Sequence, residues 1–329
     1  MGYLGKFTGT VALALVTSLG ATAAAAWPDS AITLVVPYAA GGGPDVHTRQ
    51  FAQKFSAALN VPVVVENRVG AAGAVGTSYV SRARADGHTL LLGTNAHLLQ
   101  KAMQPELAFD PLTDFRGISN IMSTPAVVVV GAESPYQTLQ DLIDALKREP
   151  DVHNYGSGGI GTPAHVSSAA LLAHFGAVAQ HIPLRGSAEI MPSLMRGDVT
   201  FAAPVAGTAL PQIQNGMLRA LAVTSKERIP NLPDVPSLYE ITGDPQLVLD
   251  TWLGLWTPAG TPDERVDALF TAADTALQDP ELQSQFAAAG TIPTRSESPA
   301  QYDQLIAEDN DKWSALSRLT REDPLLAKD

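Results

Sequence analysis

One short stretch near the start of the chain, residues 32–45, reads ITLVVPYAAGGGPD. Ile32–Val36 is a continuous apolar run, and Pro37 ends it, which is typical of a buried parallel strand. The glycines at 41–43 predict a tight turn, and Pro44 suits the first turn of a helix, where its missing N–H is not needed. A strand, a glycine turn and a helix in this order predict a βαβ unit of a doubly wound sheet.

The same alternation continues outward from this unit. Apolar runs predict further strands, and helical spacing between them predicts the intervening helices. These strands are expected at residues 61–65, 88–92, 126–130, 154–161 (with a glycine loop), 179–183, 199–202, 218–224 and 251–256. The 329 residues suffice for about two domains. Because the pattern restarts near residue 126 and the last strand can return the chain to the first domain, we expect two crossing strands to form a hinge.

Residues 1–26 have the pattern of a secretory signal peptide. Lys6 precedes an apolar run at residues 11–16, and small residues lead to Ala26, just before Trp27. A membrane anchor is the alternative, but the run is too short and too rich in alanine to span a bilayer of about 30 Å. We therefore expect cleavage before Trp27 and a mature protein outside the cytoplasm.

The composition excludes several classes of function. The chain has no cysteine, which excludes a disulfide scaffold, a zinc ribbon, an iron–sulfur protein and a thiol nucleophile. Its net charge of -12, with 21 basic and 33 acidic residues, opposes a nucleic-acid partner, since phosphate contacts need clustered Lys and Arg.

Recognisable cofactor and metal motifs are weak. Gly156, Gly158 and Gly161 match G-x-G-x-x-G, but no acidic residue follows about 20 positions later, where a dinucleotide site needs one. The chain lacks a phosphate-binding P-loop, and its seven histidines lack zinc-protease spacing. We therefore expect no cofactor and no metal site.

Loops rich in glycine or small residues follow several of the predicted strands and precede helices. They lie at residues 41–45, 70–73, 156–162 and 185–187. Helix starts at the carboxyl ends of strands offer free N–H groups and a partial positive charge. The pattern predicts a small anion held by backbone dipoles in a cleft between two domains; the alternative is that the glycines only form tight turns. His165, in the first turn of a helix opened by Thr162, either donates to the ligand or packs and caps.

Seven motifs in order resemble one known family. They read ITLVVPYAAGGGPD (32–45), VVENRVGAAG (64–73), DGHTLL (86–91), GTPAH (161–165), HIPLRG (181–186), LPDVP (232–236) and PAGTP (258–262). Together with their spacing, which extends from residue 27 to residue 313, they resemble the substrate-binding proteins of tripartite tricarboxylate transporters, also called Bug receptors.

The resemblance implies a two-domain α/β receptor in the periplasm, of the type II periplasmic-binding-protein or Venus-flytrap fold, with two crossing hinge strands. Domain 1 would comprise residues 27–126 plus 251–329, and domain 2 residues 127–250. The protein would act as a monomer that closes on a small organic carboxylate. It would deliver that ligand to a membrane permease of one large and one small subunit, without catalysis.

The resemblance also implies which residues contact the ligand. The binding residues carried over are Tyr38, Gly41, Gly43, Asp45, Gly73, Ala74, Thr94, Asn95, Ser157, Gly158, Thr162, His165, Arg185, Pro204 and Val205. Two positions depart from the family pattern. Pro44 stands where a small hydroxyl residue is common, and Leu184-Arg185 stands where an aromatic residue followed by lysine is more usual.

The residues alone leave two other functions as alternatives. A ligand-binding sensor that signals to a membrane partner would have the same cleft, and a Rossmann-type oxidoreductase would have a similar sheet. The sequence does not choose among dicarboxylates, tricarboxylates, acidic amino acids and aromatic acids.

Overall fold

A computed structural model of the protein describes Gly2 and residues 27–150, 152–184 and 189–321. The predicted signal peptide, apart from Gly2, lies outside the described residues, and so does Arg185. Within the described ranges, no helix combines the length and the apolar character needed to cross a membrane.

Strands and helices alternate along most of the described chain. The strands are β1 (Ile32–Val36), β2 (Val63–Asn67), β3 (Thr89–Thr94), β4 (Phe115–Thr124), β5 (Val127–Gly131), β6 (Asn154–Ser157), β7 (Gln180–Pro183), β8 (Phe201–Ala202), β9 (Leu218–Val223), β10 (Thr251–Pro258) and β11 (Ile292–Pro293). The α-helices are α1 (Gly43–Leu59), α2 (Ala74–Ser81), α3 (Asn95–Met103), α4 (Leu139–Arg148), α5 (Pro163–Phe175), α6 (Ile190–Arg196), α7 (Ala206–Gln214), α8 (Leu238–Thr242), α9 (Asp263–Leu277), α10 (Pro280–Ala288) and α11 (Pro299–Arg321).

The first sheet has six strands in the order β11-β4-β10-β3-β1-β2. As predicted, β1 is a buried parallel strand: Ile32 lies opposite Val63 of β2, and Leu34 lies opposite Leu90 of β3. The strand β10 runs antiparallel between β3 and β4. Phe51 and Phe55 of α1 pack with Leu34 in the hydrophobic core below this sheet.

The second sheet has five strands in the order β7-β6-β8-β5-β9. Here β6 is parallel to β7 and β8, whereas β5 is antiparallel to β8 and β9. A capping box begins α4, because Thr138 and Asp141 each accept a hydrogen bond from the other's backbone N–H. These two α/β sheets and their helices confirm the fold class predicted from the sequence.

Two crossing strands join the sheets. The chain leaves the first sheet after β4, enters β5 of the second, and returns through β10, which pairs with β4 from Thr251 opposite Thr124 to Pro258 opposite Phe115. The return strand was predicted, whereas β4 was not. Its buried polar residues Ser119 and Asn120, and two register shifts in its pairing with β10, obscure the alternation of a regular strand.

The long helix α11 packs against both halves of the molecule. Tyr302 is buried against Trp256 of β10 and accepts a hydrogen bond from its Nε1 at 3.1 Å. Further along the helix, Trp313 and Leu316 belong to the core cluster that includes Leu171 of α5. The end of the described chain therefore contacts the second sheet's core, although the predicted domain boundaries assign it to domain 1; those boundaries stay a prediction.

Candidate functional site

A cavity of about 510 Å³ lies between the two sheets, next to the crossing strands. Its wall combines loops, helix starts and the strands β4 and β10. The lining residues are Tyr38, Gly43, Pro44, His47, Thr94, Ala96, Met122, Thr124, Thr162, Pro163, Ala164, Pro204, Val205, Gly207, Thr208, Thr251, Leu253, Ala289 and Thr291.

In the part of the chain that the structure describes, four helices begin at this cavity. α1 begins at Gly43 and α3 after its cap Thr94, both from the first sheet. α5 begins after its cap Thr162 and α7 after Val205, both from the second sheet. The first N–H groups of a helix have no carbonyl partner within it and carry a partial positive charge, so the four starts together favour an anion in the cavity.

The buried carboxylate of Asp45 holds the glycine loop before α1 in place. It accepts hydrogen bonds from Gly41 N at 2.8 Å, Asn67 Nδ2 at 2.8 Å and Arg49 Nε at 3.1 Å. Burial alone would raise the pKa of Asp45, but these hydrogen bonds and the charge of Arg49 outweigh it and lower the pKa. Asp45 therefore stays ionised and positions the loop behind the cavity wall instead of lining the cavity.

The start of α3 presents a pair of hydroxyl groups. Tyr38 Oη and Thr94 Oγ1 lie 3.0 Å apart, and burial raises the pKa of Tyr38, so the phenol stays neutral. Thr94 also accepts from Ala96 N, while its own N–H donates to His97 Nδ1 at 3.1 Å. Burial lowers the pKa of His97 to about 4, so this cap is uncharged at neutral pH.

A positive φ at Gly73 shapes the loop before α2. Gly73 has a φ of +103°, and a Cβ at this position would lie 3.4 Å from Pro37 Cβ and 3.5 Å from His97 Nε2. Glycine is the residue that tolerates this conformation without strain. The predicted site residue Gly73 thus lies against Pro37, the residue before Tyr38, and neither Gly73 nor Ala74 is part of the described lining.

The glycine loop before α5 rests on two buried, stacked histidines. The rings of His165 and His181 lie 3.9 Å apart at an angle of 7°. His165 Nδ1 accepts from Gly161 N at 3.0 Å, and His181 Nε2 lies 2.7 Å from Ser157 Oγ. This geometry shows packing and capping contacts of His165, and its contact with the ligand stays a prediction.

The crossing strands form a wall that the sequence did not reveal. Thr124 of β4 lies opposite Thr251 of β10, and Met122 pairs with Leu253. Side chains two residues apart on a strand share a face, so each strand directs one hydroxyl and one apolar group towards the same side. The sequence did not predict this wall because it depends on the pairing of β4 with β10, two strands that are far apart in the chain.

The predicted binding residues divide into two sets. Those that line the cavity are Tyr38, Gly43, Thr94, Thr162, Pro204 and Val205. Those that the structure describes outside the lining are Gly41, Asp45, Gly73, Ala74, Asn95, Ser157, Gly158 and His165. Arg185 lies outside the described residues. Among the described residues, the lining contains seven hydroxyl side chains and His47 but no Lys, Arg, Asp or Glu.

Comparisons with known proteins agree with this architecture. The family model described as the tripartite tricarboxylate transporter family receptor matches residues 47–320. Protein BugT of Bordetella pertussis is 30% identical over 322 residues, which cover 97% of each chain. The solved structure of the periplasmic binding protein BugD is similar, with a TM-score of 0.74 and 29% identity over 89% of this chain and 98% of its own.

Two further solved structures carry small acids. MatC of Rhodopseudomonas palustris, with bound malate, has a TM-score of 0.74 and 27% identity over 88% of this chain and 100% of its own. Another Rhodopseudomonas palustris protein, solved with adipate, has a TM-score of 0.77 and 28% identity over 89% of this chain and 98% of its own. These relatives are solute receptors and not enzymes, which removes the oxidoreductase alternative. The chain belongs to the tripartite tricarboxylate transporter receptor family.

Proposed function

We propose that the protein is a periplasmic receptor that binds one small organic carboxylate in the cavity between the sheets and delivers it to a permease. The observation that carries the proposal is the convergence of four helix starts on a cavity whose described lining has hydroxyl groups and no charged carboxylate or ammonium side chain. Backbone N–H groups then hold the anion, as at other helix starts.

Ligand contacts in this proposal come from the predicted residues that line the cavity. Tyr38, Thr94 and Thr162 supply hydroxyl groups, Gly43 supplies a backbone N–H, and Pro204 with Val205 form an apolar wall. The malate and adipate bound to structural relatives support a short-chain acid as the ligand.

Export and transport complete the proposal. The signal-peptide pattern of residues 1–26 and the periplasmic relative support cleavage before Trp27 and a periplasmic location. The family resemblance supports a permease partner of one large and one small subunit. N-terminal sequencing of the periplasmic fraction checks the location: the mature protein should begin at Trp27, and a full-length cytoplasmic product would contradict both export and transport.

Titration calorimetry tests the binding function directly. Malate, adipate and a panel of short mono-, di- and tricarboxylic acids are titrated into the mature protein. At least one acid should bind with a stoichiometry of one per chain. The absence of binding by every acid in the panel would overturn the proposal.

A further inference from the structure

His47 is the basic side chain in the described lining of the cavity. It follows the start of α1 by about one turn. Its Nδ1 lies 3.3 Å from Gln50 Oε1, and its ring meets Phe286 edge-on with the ring centroids 5.5 Å apart. These contacts orient the imidazole, with Nδ1–H donating to Gln50. Within residues 27–150, 152–184 and 189–321, His47 Nε2 has no hydrogen-bond partner, so this nitrogen is available to a ligand.

The protein surroundings of His47 disfavour a charge on its ring. Burial lowers the pKa of His47 below its ordinary 6.5, and the hydrogen bond to Gln50 offsets only part of the effect. The nearby positive end of α1 also opposes an imidazolium. His47 is therefore largely neutral at pH 7 before ligand binds.

The ionisable groups around His47 pair with other partners. On α1, Asp45 and Arg49 form an ion pair at 3.0 Å. On α10 and the residue before it, Glu281 and Asp279 both contact Lys54 of α1, at 2.7 and 3.2 Å. On the loop before α1, burial raises the pKa of Tyr38, which stays neutral. In the described part of the chain, none of these groups forms an ion pair with His47.

An anion next to Nε2 raises the pKa of His47, because a nearby opposite charge favours the ionised form of the imidazole. The starts of α5 and α7 in the second sheet can hold one carboxylate of a ligand, and a second carboxylate on the α1 side of the cavity then lies beside His47. We propose that His47 binds the second carboxylate of a dicarboxylic acid and takes up a proton from solvent as it does so, which selects diacids over monoacids. This inference rests on the proposed function of the cavity.

Calorimetry with two acids of equal chain length tests the inference. Adipate and hexanoate are titrated at pH 6, 7 and 8 in buffers of different ionisation enthalpy, which reveals proton uptake. Adipate binding should take up a fraction of a proton at pH 7, and its affinity should rise about three- to fivefold from pH 8 to pH 6, as expected when a pKa that starts below 6.5 rises by about one unit. Hexanoate should show a flatter pH profile and weaker binding at pH 6.

Two variants separate His47 from other sources of pH dependence. His47→Gln keeps a polar side chain of similar length but has no titratable ring. It should therefore remove the pH dependence of the affinity for adipate and reduce the preference for adipate over hexanoate. His88→Gln is the matched control, because His88 contacts Asp29 and Asp86 away from the cavity. This variant should keep the pH dependence of the affinity for adipate.

Each contrary outcome has a distinct meaning. The role of His47 would be overturned if adipate binds without proton uptake, or if the affinity of His47→Gln for adipate still depends on pH. The receptor function would stay intact in both cases. Tighter binding of hexanoate than adipate at pH 6 would overturn the selection of diacids. No binding of any acid at any pH would overturn both the inference and the proposed function.

Discussion

Among single residues, Asp250 connects the crossing strand β10 to the start of α3. It directly precedes β10, and its backbone oxygen accepts from Asn95 Nδ2, at the start of α3, at 2.9 Å. Its Oδ1 is buried and has no hydrogen-bond partner among the described residues. Burial raises the pKa of Asp250 to about 6, with Lys312 opposing and Asp309 adding to the shift.

This environment makes the stability of the fold depend on pH. An unfolded Asp ionises near 3.8, whereas Asp250 in the fold ionises near 6, so folding favours its protonated form. The cost of ionising the buried carboxyl group develops as the pH rises from about 4 to about 6 and stays constant above that range.

Asp250→Asn should therefore raise the free energy of unfolding at pH 8 by about 1–2 kcal/mol and leave it nearly unchanged at pH 4. The gain is smaller than the full pKa shift implies, because Asp250 is only partly buried and water screens part of its charge. Urea unfolding at both pH values measures the effect, with Asp267→Asn on an exposed face of α9 as the control. An equal effect at pH 4 and pH 8 would contradict the buried-charge explanation.

At the scale of elements, the start of α5 combines stability and binding in one side chain. Thr162 Oγ1 accepts from His165 N at 3.4 Å and donates to Gly159 O at 2.8 Å, and the same residue lines the cavity. A threonine cap contributes about 1 kcal/mol to a helix.

Thr162→Val should lower the free energy of unfolding by about 1 kcal/mol and weaken ligand binding, because the side chain keeps its shape but loses the cap and the hydroxyl. Thr162→Ser should restore most of both. Urea unfolding and calorimetry measure the two effects. If Thr162→Val is folded and binds the ligand with full affinity, the Thr162 hydroxyl does not contribute to ligand binding.

The elements also show what the sequence could predict. The strand β1, the glycine turn and the start of α1 were predicted because one local pattern encodes all three. The strand β2 begins at Val63 and not at 61, because its register with β1 is set by tertiary pairing. His47 and Thr291 were not predicted as site residues, since their places in the cavity depend on how α1 and the loop before β11 approach the crossing strands.

At the scale of the whole molecule, the two sheets are joined by paired strands that cross the cleft. Such a connection allows hinge closure around a ligand. We propose that residues 27–126 with 251–329 and residues 127–250 move as the two halves. Small-angle scattering of the mature protein should show a smaller radius of gyration at saturating ligand. An unchanged scattering profile in the presence of bound ligand would contradict closure.

The central claim is that helix starts, and not the charged side chain of Arg185, hold the first carboxylate of the ligand. Gly43 lines the cavity, and a Cβ at this position would meet no atom within 4 Å, so a valine fits the fold but fills space beside the helix start. Ala57→Val, at the exposed far end of the same helix, is the matched control. Circular dichroism confirms that each variant is folded.

The deciding measurement is the calorimetric affinity of Gly43→Val and Arg185→Ala for the acid that binds the wild-type protein most tightly. Gly43→Val should lose at least about a hundredfold in affinity, equivalent to about 3 kcal/mol. Arg185→Ala should lose about 1–3 kcal/mol at most, the value of one charge-assisted hydrogen bond. If Arg185→Ala abolishes binding while folded Gly43→Val retains it, the ligand is held by an ion pair and the claim is wrong.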